Sequence, residues 1–158
     1  MTKQVDHTPP GTDPDRPVDR IVHRLVGYKL KISYLTVRHA AQQALEPLGL
    51  RIVSMTALSL IVDNPGIAPS RIADDLQMER SNIVGIIDEL EAQKLISRSR
   101  SRQDLRRFAL TATVRGRRLR DRAVAEVEKA EDIALHALSS DEKSVLLELL
   151  SRIQKTPG

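Results

Sequence analysis

The stretch ERSNIVGIIDELEAQKLISRSRSRQDLRRFALTA, residues 79–112, decides the fold. In its first half Ile83, Ile87 and Leu90 recur at i, i+4 and i+7, with Ile86 alongside, which is the spacing of one apolar helix face. After Leu95-Ile96 the period drops from 3.6 to 2. Ser97, Arg98, Ser99, Arg100, Ser101 and Arg102 alternate a small polar residue with arginine. Gln103-Asp104-Leu105-Arg106 then reads as a turn, and Arg107-Phe108-Ala109-Leu110-Thr111 as the returning strand. The segment is therefore expected to be an amphipathic helix followed by a basic β-hairpin.

Upstream, Ile52 to Val62 is mostly apolar and stops at Asn64-Pro65-Gly66. Pro69 suits a first helical position, and Ile72, Ala73 and Leu76 make the stripe of a short helix that breaks near Gln77-Met78. Two short helices joined by a tight turn, the second amphipathic, form a helix-turn-helix, and a hairpin directly after it is a wing. Longer helices flank this unit. Val18, Leu25, Ile32 and His39 are seven apart, as are Ile21, Tyr28, Leu35 and Gln42, which predicts a helix of roughly 27 residues ending near Leu45. A second begins at Thr113, with Leu119, Ala123, Val127, Ala130, Ala134 and Ala137 on one side, and ends before Ser139. Ser139 and Glu142 have capping-box spacing, and Val145, Leu146, Leu149, Leu150 and Ile153 give the last helix its apolar face. The expected class is mainly α with a small β wing. Residues 1–17, rich in proline, are expected to form a disordered tail. Residues 18–158 are expected to form one domain, with 50–112 a winged helix-turn-helix lobe and 18–47 and 113–156 dimerisation helices.

Composition narrows the function. The 158 residues include no cysteine and no tryptophan, so thiol nucleophiles, disulfides and thiolate metal sites are excluded. Tyr28, Tyr34 and Phe108 are the only aromatics, too few to stack the bases of a single strand. The N-terminus lacks a signal-peptide pattern, and no apolar run reaches membrane-spanning length, so a soluble cytoplasmic protein is expected. His7, His23, His39 and His136 are scattered without i, i+4 partners, so no metal, cofactor or catalytic constellation is expected. The net charge of +4 conceals a concentration: 94–122 carries eleven basic residues, ten of them arginine, against Asp104 and Asp121. Such a patch suits a polyanion, because neutralised phosphates release counterions and arginine grips phosphate bidentately. A solvated, charge-protected edge strand would carry the same pattern.

On the helix at 79–92, Arg80, Ser81 and Asn82 occupy the first turn, where a recognition helix meets base edges. Asn82 could pair with adenine, Arg80 with guanine or a phosphate, and Ser81 with either. Gly85 either lets the helix approach a groove closely or relieves a crowded helix crossing. Asp88 and Glu89 would repel phosphates and are expected to form intramolecular pairs. On the hairpin, Arg98, Arg100 and Arg102 share one face. Arg106, with Arg107 beside it, stands where a tip enters a minor groove, and Asp104 is placed to orient Arg106.

These residues resemble the MarR family of bacterial transcription regulators. The likeness rests on Leu48-Gly49-Leu50, on the segments Ile72 to Leu76, Asn82 to Glu91, Leu95 to Arg98 and Asp104 to Leu110, on Gly116, and on Leu138 to Leu150. It implies a homodimer on a pseudo-palindromic double-stranded operator, more readily a repressor than an activator, tuned by a small aromatic or phenolic effector. For that effector Tyr34 and Arg38, one turn apart, with Met55 and Leu58, offer a hydroxyl, a guanidinium and apolar walls; the same residues would equally serve the dimer interface or the fold. Lys94 stands where the family usually has glycine, Ala112 where leucine is common, and the lack of cysteine removes the family's thiol switch. The alternative is a winged-helix interaction module whose basic wing binds an acidic protein.

Overall fold

A computed structural model of the chain describes residues 21–100 and 108–154. The expected tail at 1–17 and the hairpin turn lie outside them. The chain divides between Tyr34 and Leu35 into two compact units. In the first, a 3₁₀ turn at Val22–Arg24 precedes the start of α1, Val26–Leu45. The helix expected from Val18 is thus broken at Leu25, whose backbone is extended (φ −80°, ψ 124°). β-Branched Val22 and Val26 and the flexible Gly27 are weak helix formers, and Ile21, Leu25 and Val26 are all exposed, so no packing compensates.

The second unit continues through α2 (Ile52–Asp63), α3 (Pro69–Asp75), α4 (Arg80–Ala92), β1 (Ile96–Arg100), β2 (Phe108–Ala112), α5 (Val114–Ala134) and α6 (Ser140–Gln154). Pro69 opens α3 as expected. The strands pair antiparallel in the register Ile96↔Ala112 through Arg100↔Phe108. Sequence periodicity missed a third, one-residue strand: Ile67 bridges Leu110 on the far side of β2, leaving β1 at the free edge. No single helix among the described residues is long and apolar enough to cross a membrane.

The core joins Leu45 of α1, Ala57, Leu58 and Ile61 of α2, Ile72 of α3, Ile83, Ile87 and Leu90 of α4, Leu110 of β2 and Ala123 of α5, each essentially inaccessible. Burial of each large aliphatic side chain contributes about 1.5–3 kcal/mol, so α4 is held on its apolar stripe and shows its other face. Arg120 of α5 reaches Asp63 at the end of α2 with an N–O distance of 3.2 Å. At the start of α6 the Ser139 backbone N–H donates to Glu142 Oε2 at 2.8 Å and the Glu142 N–H donates to Ser139 Oγ at 3.3 Å, completing the expected capping box. The Ser139 N–H and hydroxyl, both donating to Glu142 Oε2, hold the Glu142 carboxyl below its usual pKa.

The end of α4 fixes the wing. Lys94 adopts the left-handed conformation, φ 59°. Its N–H donates to the Glu91 carbonyl at 2.8 Å, and the Leu95 N–H donates to the Leu90 carbonyl at 3.0 Å, which is a Schellman ending. A non-glycine residue there costs about 1 kcal/mol. Gln77, φ 49°, closes α3 in the same way, with the Met78 N–H donating to the Ala73 carbonyl. The Leu95 carbonyl next accepts the Thr113 N–H at 2.9 Å, and the Thr113 hydroxyl donates to the Lys94 carbonyl at 2.9 Å. Thr113 Oγ1 in turn accepts the Gly116 N–H at 3.0 Å as the cap of α5. A Cβ at Gly116 would lie 2.0 Å from the Leu95 carbonyl oxygen, so only glycine fits. Gly116→Ala is expected to destabilise the fold by about 3 kcal/mol or more, read as a lowered midpoint in thermal unfolding. An unchanged midpoint would contradict this close approach.

Candidate nucleic-acid interface

Because Ile83, Ile86, Ile87 and Leu90 turn inward, the opposite face of α4 is presented outward. Arg80, Ser81, Asn82 and Gly85 are all exposed on it, in the first two turns. Glu79, the residue before the helix, makes no side-chain cap, leaving the first-turn N–H groups of α4 without one. Space around Gly85 is open: a Cβ there would meet nothing within 4 Å. The crowded-crossing explanation for this glycine therefore falls away. Val84, 50% exposed on the same surface, escaped sequence analysis because a valine in an apolar run reads as core. An exposed aliphatic one turn on from Arg80 and Ser81 is the kind of group that packs on a thymine methyl.

Farther along α4 the carboxylates are paired, as expected. Asp88 ion-pairs with Arg98 of β1, and Glu89 with Arg51, the residue preceding α2. Glu91 also faces Arg98, whose Nε lies 2.7 Å from its Oε2. This qualifies the expectation for Arg98. Strand alternation does place it on one side with Arg100, but its side chain is only 23% exposed and engages two carboxylates. Arg100 lies with its guanidinium carbon 4.7 Å from the centre of the Phe108 ring, its cross-strand partner. The two arginines thus have different surroundings, which period-2 spacing alone does not reveal. Arg102, Asp104, Arg106 and Arg107 lie outside the described residues.

Beyond the wing, Arg115, Arg118 and Arg122 recur along one side of α5, all exposed, and no carboxylate among the described residues lies within ion-pairing distance of them. Of the residues expected at an effector site, Tyr34 is 59% exposed, Arg38 is exposed and Met55 half-buried, whereas Leu58 is fully enclosed in the core. Sequence analysis passed over Ser54. Its hydroxyl is buried on the inward side of α2 without a hydrogen-bond partner among the described residues. The only signal was a serine within the otherwise apolar stripe of Ala57, Leu58 and Ile61.

A model of the MarR family matches residues 50–108, which span α2 through the start of β2. In structure the chain is similar to a transcriptional repressor, CouR, bound to a 23-mer DNA duplex, with a TM-score of 0.79 and 32% identity over 85% of this chain and 95% of that one. The chain belongs to the MarR family. A second structure of CouR, from Rhodococcus jostii RHA1 and bound to p-coumaroyl-CoA, has a TM-score of 0.76 and 30% identity over 87% of this chain and 96% of that one. In sequence this MarR-family chain is 35% identical over 102 residues to a protein named as the proposed transcriptional regulator of the hcr operon in Thauera aromatica. That match covers 62% of this chain and 59% of the relative. The family places the chain among transcriptional regulators rather than enzymes.

The open surroundings of Gly85 generate a prediction. Gly85→Ala is expected to stabilise the fold by about 0.5–1 kcal/mol, because alanine is the better helix former and meets no obstacle. A higher unfolding midpoint with weaker duplex binding would tie the glycine to close approach. A lower midpoint would contradict the open geometry.

Proposed function

We propose that this MarR-family regulator is a homodimeric, sequence-specific double-stranded DNA-binding protein that represses transcription from a pseudo-palindromic operator. The observation carrying this reading is the outward first turn of α4, with Arg80, Ser81 and Asn82 exposed beside an arginine-bearing hairpin. Arginine and asparagine are the side chains that read guanine and adenine bidentately in a major groove. The likeness to a repressor bound to a DNA duplex supports it. In this reading Arg80, Ser81, Asn82 and Gly85 enter the major groove, and Arg100, Arg102, Arg106 and Arg107 serve the wing, with Asp104 orienting Arg106. The lobe at 50–112 binds DNA, while 18–47 and 113–156 join two copies.

The dimer answers a packing problem. No residue of α6 is buried, although Val145, Leu147, Leu149 and Ile153 are apolar and each is at least 46% exposed. A lone 15-residue helix is marginal in water, so this face needs a partner, and a second copy supplies one. The effector is a small aromatic or phenolic acid or its thioester, in keeping with the p-coumaroyl-CoA bound by CouR. Tyr34, Arg38 and Met55 are assigned to it. Leu58 joins them only if the core around it opens.

Two experiments test the proposal. Asn82→Ala is expected to cost about 1–3 kcal/mol of affinity, confined to one base pair of the operator. Arg106→Ala should weaken binding to all sequences and lower the salt slope by about one ion. Binding isotherms across a salt series measure both, and no change in either variant would contradict the docking. Replacing Leu149 and Ile153 together by glutamate is expected to convert the dimer to a monomer in sedimentation. A dimer that persists would place the interface elsewhere.

A further inference from the structure

The recognition helix carries an awkward charge distribution. Arg80 is the only cation of α4, against Asp88, Glu89 and Glu91 in its second half. Carboxylates at the C-terminal end of a helix oppose its dipole, and bare carboxylates near phosphates repel them. Each of the three nevertheless has a guanidinium. Arg98 of β1 faces both Asp88 and Glu91, and Arg51, just ahead of α2, faces Glu89. The two arginines come from different elements, on either side of the helix in the chain order. Exposed ion pairs add little to stability, so their presence is not explained by the fold alone. Arg98 is also the less exposed of the pair, at 23% against 64% for Arg51.

We propose that Arg98 and Arg51 promote DNA binding indirectly, as positioning residues that neutralise the carboxylates of the recognition helix and, through Arg98, hold the wing against it. This rests on the DNA-binding reading above. Arg98, which strand alternation groups with the phosphate-gripping arginines, leaves that group. Its guanidinium lies within ion-pairing distance of two carboxylates at once, hydrogen-bonding to Asp88 and standing beside Glu91. With the pairs in place, the field reaching the phosphates is that of Arg80 and the wing, undiminished by three anions on the helix itself. Lost pairs would both expose the anions and free β1 from α4, so the consequence is felt at every operator sequence alike.

The test is a double-mutant cycle on binding to a duplex enriched from a random pool, with thermal unfolding run on every variant. Arg98→Gln is expected to weaken binding about tenfold in the otherwise natural protein and less than about threefold when Asp88→Asn and Glu91→Gln are already present. The same dependence is expected of Arg51→Gln on Glu89→Gln, and this exposed pair carries the test should Arg98→Gln unfold. Equal losses in both backgrounds would show a direct phosphate contact and overturn the inference. Failure of the unsubstituted protein to bind any duplex would instead overturn the DNA reading, and this inference with it.

Discussion

The contact on which the rest depends is that between the backbone of Gly116 and the carbonyl of Leu95. It is closer than any side chain allows, with a Cβ position 2.0 Å from the oxygen. Here α4 ends, β1 leaves and α5 begins. The Leu95 side chain is fully buried while its carbonyl accepts the Thr113 N–H, so one residue serves core and junction together. The Schellman ending sets the angle at which the chain departs, and Lys94 holds it in a conformation that glycine would adopt without strain. The angle at which β1 departs from α4 is thereby set by backbone geometry, and the pairs of Arg98 with Asp88 and Glu91 then tie the strand to the helix.

Charge then divides the exposed surface. The first turns of α4 are left to Arg80, Ser81 and Asn82, while the later carboxylates are each matched by arginine from β1 or the entry to α2. Arg100 of β1 rests over the Phe108 ring, covering an aromatic side chain on the hairpin with a cation.

Much of this was legible in the sequence. Ile83, Ile86, Ile87 and Leu90 announce α4 by spacing, Pro69 opens α3, and Ser139 with Glu142 marks α6, because each signal is local and physically strong. The pairing of Asp88 and Glu89 was legible in kind, since unpaired acids are poorly tolerated there, but their partners at Arg98 and Arg51 lie 10 and 38 residues away and no local pattern names them. The break at Leu25 was hidden because heptad spacing records where apolar residues fall, not whether anything packs against them. Val84 was hidden for the converse reason: an aliphatic side chain inside an apolar run gives no sign that it faces outward. The inaccessibility of Leu58 likewise follows from the meeting of several elements, which its place on α2 does not disclose.

The central claim, that two outward-facing recognition helices read a two-fold-related DNA site, is tested most directly by selecting bound duplexes from a random pool with the purified protein at about 150 mM salt. The account predicts enrichment of an inverted repeat whose half-sites are centred about 34–36 Å apart, one turn of the duplex. A folded dimer that enriches no sequence would contradict it and direct attention to an acidic protein partner for the same basic wing.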